Sequence, residues 1–345
     1  MRTGALRPII VHVAAVAWLV TASARQPQAA QAGQSQTGSP QKKVQVVPAR
    51  TAWGDPLLEG VYTNDDETGI PMERPAEFQG RRIEEITPGE LEAVNSRRTD
   101  QFNQQVAGNE FAGGLRPPTH LIFDSFQRKN SRPWLIVDPA DGRMPPRTAE
   151  ARERLARQPF GPGGVSSNIN PVGPFNSHED LGLYDRCVTR GLPGSMMPAG
   201  YGSYYEIIQS QHAVAIRYEM VHEARVIALG RRSHVGQSVQ LDLGDPVGWW
   251  DGDTLVVETT NFTARSAAMG ATDHLTMTER FTPIAPTVVE WRVTFDDPHT
   301  WTRPWSFAMN LTRKTGGQRI YEYACHEGNY GLLNILTGAR AADRR

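Results

Sequence analysis

Residues 287–295, TVVEWRVTF, alternate strictly in polarity: Val289, Trp291, Val293 and Phe295 fall on one side of an extended chain, Glu290, Arg292 and Thr294 on the other. Side chains in a strand point alternately to opposite faces, so this stretch specifies a strand with one apolar and one polar face. The same division recurs in AVAIRYEM (213–220), where Val214, Ile216, Tyr218 and Met220 oppose Ala215, Arg217 and Glu219. It recurs again in WSFAMNLTR (305–313), where Trp305, Phe307, Met309 and Leu311 oppose Ser306, Ala308, Asn310 and Thr312.

Around these three lie YYEIIQS (204–210), ARVIALG (224–230), GDTLVVETTNF (252–262), HLTMTERFT (274–282) and RIYEYACHE (319–327). Eight β-branched and aromatic runs with short turn-rich connections predict a mainly β fold, an antiparallel calycin-like barrel or strongly curved sheet over 201–345. GNYGLLNILTGAR (328–340) predicts a closing helix.

Residues 51–200 have a different texture, punctuated by RPPTHL, RMPPRT, FGPGG and NPVGPF. Such Pro/Gly-rich chain predicts an irregular segment wrapping the barrel. A helix is expected after Thr87, where a Thr cap is followed three residues later by Glu90, and a shorter one over Thr148–Gln158. THLIFDSF (119–126) and PWLIVD (133–138) read as short strands.

The chain begins with a basic stretch, an apolar run and Ala22-Ser23-Ala24, the pattern of a signal peptide over 1–24. Residues 25–50, rich in Gln, Ala, Ser and Pro, read as a disordered linker. Cleavage would leave a periplasmic or secreted protein with no membrane insertion. Loss of Arg2 and Arg7 takes the balance from 36 basic and 37 acidic residues to 34 and 37, or −3. With no basic block, a nucleic-acid partner is not expected, and a small-molecule ligand or substrate is.

Only two cysteines are present, Cys187 and Cys325. In an exported chain two cysteines most often pair. The competing reading, Cys325 as a nucleophile beside His326, is weakened because neighbours on a strand point to opposite faces. In that phase Tyr321, Tyr323 and Cys325 take the apolar side, and Glu322 and His326 the polar side.

The polar face then collects Arg217, Arg292, Glu322 and His326. It is either a solvated face with ordinary ion pairs or the lining of a covered cleft fit for acid/base chemistry. On the second reading Glu322 and His326 are the catalytic pair, and Arg217 and Arg292 bind substrate charge. Trp249 and Trp250 would stack on a ring and Asp251 and Asp253 would bind its hydroxyls, unless WWDGD is simply a tight turn.

Glu279 shares a face with Leu275, Met277 and Phe281, so it needs a partner such as Arg303 or will have a raised pKa. His222 follows Glu219 at a helical ligand spacing that a strand would split, and His234, His274 and His299 are scattered. No metal is therefore expected, and no cofactor, since no dinucleotide fingerprint, phosphate loop or serine elbow occurs.

The segments WGDPLLEGVY (53–62), DRC (185–187), WWDGDTLVVETTNF (249–262), TERF (278–281), DPHTWTRPW (297–305) and YEYACHEGNYGL (321–332) together resemble a widespread group of exported bacterial proteins of unassigned activity. The resemblance covers most of the mature chain and implies export. It carries no catalytic residues with it. The residues themselves lead to a cofactor-independent lyase, hydrolase or isomerase acting on a small sugar-like or aromatic compound. The alternatives are a non-catalytic small-molecule carrier and an envelope protein that is structural or binds other proteins.

Overall fold

The computed structural model describes residues 47–108, 130–157, 175–198, 202–230 and 233–344. THLIFDSF lies outside them, as do the leader and most of the linker.

Among the described residues ten strands form one sheet: β1 (Gly60–Thr63), β2 (Ile136–Asp138), β3 (Tyr204–Gln209), β4 (Ala213–Tyr218), β5 (Ala224–Leu229), β6 (Asp245–Asp251), β7 (Thr254–Thr260), β8 (Thr276–Ala285), β9 (Val288–Asp296) and β10 (Trp305–Arg313). Their order is β1-β3-β4-β5-β6-β7-β8-β9-β10-β2, and β1 also pairs with β10. Nine strands thus close a barrel, and β2 adds to the part of β10 that β1 leaves free. Closure removes the open edges that would otherwise invite aggregation.

The alternation read from the sequence sets which face is inside. A rung of inward residues runs Val257, Glu279, Val293, Phe307 across β7 to β10. The next runs Leu255, Phe281, Trp291, Met309. Aromatic rings fill this end: Phe295 stacks on Trp305 at 4.5 Å and Trp291 meets Phe307 edge-on at 5.4 Å. Each such ring withdraws about 150–250 Å² from water, so these four strands carry much of the stability.

Three expectations need correction. First, the barrel is mixed: β5 and β6 run parallel, with Ala228 opposite Val247 and Leu229 opposite Gly248. The chain from Gly230 to Gly244 returns to the start of the pair before entering β6. Gly248 permits the close approach, since a Cβ there would meet Ile227 Cγ2 at 2.6 Å.

Second, the N-terminal half does more than wrap, because it supplies β1 and β2. PWLIVD was legible as a strand; VYT was not, being too short to show a period.

Third, 319–327 is not a strand but an irregular segment with a turn at Cys325–Gly328. β10 already has β9 on one side and β1 and β2 on the other. No edge is left for that run, whatever its alternation.

Among the described residues three α-helices lie outside the barrel. In α1 (Pro88–Gly108) Thr87 Oγ1 accepts the Glu90 N–H at 3.3 Å while the Glu90 carboxylate accepts the Thr87 N–H at 2.8 Å. This reciprocal cap is the one the sequence predicts, and Val94 packs α1 onto Phe78 and Trp134. α2 (Ala149–Ala156) starts at Thr148, whose hydroxyl accepts the Ala151 N–H. α3 (Tyr330–Ala342) starts at Asn329, which accepts the Leu332 N–H, and none of its side chains is buried.

Cys187 and Cys325 form the expected disulfide, with Cα atoms 5.8 Å apart. It ties the 175–198 segment to the chain that follows the barrel. Among the described residues no helix is long and apolar enough to cross a membrane.

Candidate functional site

The polar face anticipated from strand phase is the outer wall of the barrel. Arg217 on β4 donates twice to Glu206 of β3, at 2.7 and 3.0 Å, on a half-exposed surface. Arg292 on β9 lies 3.6 Å from Glu290, which also receives Arg132 at 3.1 Å. β4 and β9 stand on different sides of the closed barrel, so the two arginines do not converge. Glu322 and His326 are exposed in the irregular segment after β10 and join neither arginine. The predicted acid/base pair is therefore not assembled with its predicted binding residues.

The WWDGD stretch is a hairpin tip, as its turn chemistry suggests, with Gly252 at φ +59° between β6 and β7. Asp251 is engaged by Arg280 at 2.7 Å and Asp253 by Arg50 at 2.6 Å. These acids are occupied by arginines, not presented to a ligand. Trp249 faces outward and is 44% exposed, while Trp250 is half-buried against the barrel interior.

Glu279 lies inside the barrel and is fully buried. Its partner is Arg225, with contacts of 2.5 and 2.8 Å, and Trp291 Nε1–H donates to it at 3.0 Å. Arg303 instead pairs with Asp138. Burial alone would disfavour the guanidinium charge, but Glu279 beside it holds Arg225 more firmly protonated than an arginine in water. Such a buried pair needs its geometry complete, because either charge alone would be stranded. Nearby, burial raises the Tyr205 and Tyr218 hydroxyls above the ordinary phenol range.

The arrangement best suited to chemistry centres on His234, in the connection that makes β5 and β6 parallel. Its Nδ1 is 3.1 Å from Asp245 Oδ2 and its Nε2 is 3.1 Å from Glu258 Oε1. Asp245, at the buried start of β6, also accepts the Val235 N–H at 2.9 Å. Asn261, at φ +58°, donates to the carbonyls of Val235, Gly236 and Val239 and pins the connection down. The imidazole is thus held by a buried carboxylate on one side and faces a half-exposed one on the other.

His234 lines two open cavities of about 380 Å³ each. One is shared with Val247, Trp249, Trp250 and Glu258. The other is shared with Gln237, Gln240, Thr260, Asn261, Asp273 and His274. His274 in turn stacks on His299, ring centres 4.7 Å apart. The scattered histidines of the sequence therefore gather on one side of the barrel.

The sequence singled out Trp249 and Trp250, which line one of these cavities, and marked His234 only as one histidine among several. Asp245 and Glu258 had no sequence signal, since they meet His234 only because a long connection folds back over β6 and β7. His222, the other histidine with a suggestive spacing, has its Nδ1 2.9 Å from the Tyr323 carbonyl, while Glu219 accepts the Tyr204 N–H. Among the described residues no group of three or more His, Cys, Asp or Glu side chains is arranged to hold a metal ion.

No family model and no curated protein matches the chain. Among solved structures, a point mutant of the fluorescent protein UnaG is similar over 39% of this chain and 86% of its own, at 13% identity and a TM-score of 0.21.

Proposed function

We propose that this protein performs acid/base chemistry, without a cofactor, on a small sugar-like or aromatic compound, with His234 as the group that moves the proton. The observation that carries this reading is an imidazole placed between the carboxylates of Asp245 and Glu258 at the wall of two ligand-sized cavities. Pockets of a few hundred Å³ with few, converging polar groups are the usual form of a small-molecule site. A histidine oriented at one nitrogen by a carboxylate is the usual form of a general base.

In this role the Asp245 carboxylate fixes the ring and stabilises it when it gains a proton. Nε2 takes the proton from the substrate once the substrate displaces the Glu258 carboxylate that faces it. Glu258, half-exposed and 3.1 Å from Nε2, exchanges that proton with solvent or returns it to the product. Lyase, hydrolase and isomerase reactions all require this removal and return, so the reading stays at the level of proton transfer.

The same reading places the protein outside the cytoplasm, cleaved after Ala24. The Cys187–Cys325 bridge supports an oxidising compartment. Mass spectrometry of protein recovered from a periplasmic or culture fraction should give a chain beginning at Arg25, and an intact Met1 in the cytoplasm would overturn the export.

The test of the chemistry is to incubate mature protein with pooled sugars, glycosides and phenolics, then to follow bound and free fractions by mass spectrometry. A compound converted to a new mass by the wild type but not by His234→Gln is the expected result. Equal conversion by the variant would sink the assignment. A compound retained unchanged by both would make the protein a carrier, and no response would favour an envelope protein that engages other proteins.

A further inference from the structure

The two cavities that meet at His234 differ in chemistry. The first offers the exposed indole of Trp249 with Val247 beside it, an apolar surface of the kind that takes a ring face. The second is lined mainly by polar side chains, Gln237, Gln240, Thr260, Asp273 and His274, with Val235 and Leu275 among them, and Gln240 donates to the exposed Asp273 carboxylate at 3.0 Å. The polar groups are donors and acceptors suited to hydroxyl groups.

Their separation follows from the register. Trp249 lies four residues along β6 from Asp245, and Asp245 is paired with Thr260, which lines the second cavity. At about 3.3 Å per residue this is about 13 Å, close to the span of two linked six-membered rings with their substituents. A single ring can occupy one cavity or the other but cannot fill both.

We infer that the ligand is a two-part molecule, an aromatic ring joined to a hydroxyl-rich ring, bound across His234 with the ring against Trp249, the hydroxyls among Gln240 and Asp273, and the linkage at the imidazole. This rests on the reading of His234 as the working group of the site, and it adds what flanks that group. Joining two fragments that each bind weakly makes the second contact intramolecular, so the linked compound gains far more affinity than either half shows.

Calorimetry or tryptophan fluorescence with five probes tests it: p-nitrophenyl β-glucoside, p-nitrophenyl β-galactoside, the two corresponding methyl glycosides and p-nitrophenol. The expected result is that at least one linked probe binds on the order of 100-fold more tightly than its two halves. Trp249→Ala should lower that affinity about tenfold and leave the methyl glycoside unchanged. Asp273→Asn should lower it similarly and leave p-nitrophenol unchanged, a split that a general loss of structure would not give. Linked probes that bind no better than their better half would overturn the inference, as would full affinity in both variants.

The two proposals fail separately. Tight linked binding with no His234-dependent turnover removes the chemistry and keeps the two-part ligand. His234-dependent turnover of a single-ring compound, with no gain from linkage, does the reverse.

Discussion

The wall formed by β7 to β10 and the segment that follows it, residues 320–342, are neighbours in sequence and are held in opposite ways. In the wall, continuous register sets Trp291, Phe295, Trp305 and Phe307 into a fully buried interior. In the later segment, α3 buries no side chain. It is anchored by the Cys187–Cys325 bridge, by Asn329 Nδ2 donating to the Asp185 carbonyl at 2.8 Å, and by the His222–Tyr323 contact. One region is stable because a large apolar surface leaves water; the other is held by a covalent link and a small apolar cluster around it, where Tyr323 packs with Tyr184, Met220 and Val221. The wall and residues 319–327 both read as strand-like, aromatic sequence, so aromatic content alone does not distinguish buried wall from tethered surface.

The sharpest way to break this contrast is inside the barrel. Arg225→Met should strand the Glu279 carboxylate and cost about 3–5 kcal/mol, seen as a lower midpoint in denaturant. The double variant Arg225→Met/Glu279→Leu should recover most of it, because the desolvation cost of both charges disappears together. A double variant no more stable than the single would mean that the pair itself stabilises the barrel.

Removing the bridge with Cys187→Ser and Cys325→Ser is expected to cost about 2–4 kcal/mol for a long closed loop. Its signature distinguishes the two regions: hydrogen exchange should accelerate over 320–342 while β8 to β10 stay protected. Uniform loss of protection would show that the tether also supports the wall.

A third effect lies at the seam between the N-terminal half and the barrel. Glu67, just after β1, is buried, and burial is the main cause that pushes its carboxyl from the ordinary 4.5 up to about 7, against the Ser131 hydrogen bonds and Arg132. The folded protein therefore keeps a proton that the unfolded chain releases, so stability falls as pH rises from about 4.5 to about 7. Glu67→Gln, which keeps a hydrogen-bonding group for Ser131, should flatten this slope. At pH 8 it should raise stability by on the order of 2 kcal/mol. A pH profile identical to wild type would show that Glu67 is already ionised in the fold.

The smallest effects are expected where the alternation of YEYACHE placed a catalytic pair. Glu322→Gln and His326→Ala sit on exposed, irregular chain and should change stability by less than about 0.5 kcal/mol, with turnover of any substrate unchanged. A large loss of activity in either would move the working site away from His234 to the tethered segment.

What could be read in advance depended on how local the cause was. Alternation in 213–220, 287–295 and 305–313 identified three strands and their buried faces, and β-branched, aromatic runs marked four more over 204–210, 224–230, 252–262 and 274–282, because strand period is a property of a few successive residues. Thr87 with Glu90 marked a helix start for the same reason, since a cap is satisfied within one turn. Glu279 was visible as a buried acid, but not its partner, because Arg225 reaches it across the barrel from β5.

The sequence by itself therefore determined the β class, the inward residues of the strands with strict alternation, the reciprocal cap at Thr87 and the pairing of the only two cysteines. Tertiary structure alone decided that Val61 and its neighbours close the barrel, that β5 and β6 run parallel, and that 319–327 is left without an edge to join. It also decided that His234 stands between Asp245 and Glu258. Each of these is a question of which distant segments meet, and that is set by closure of the sheet and by the path of the long connections, which no short stretch of sequence encodes.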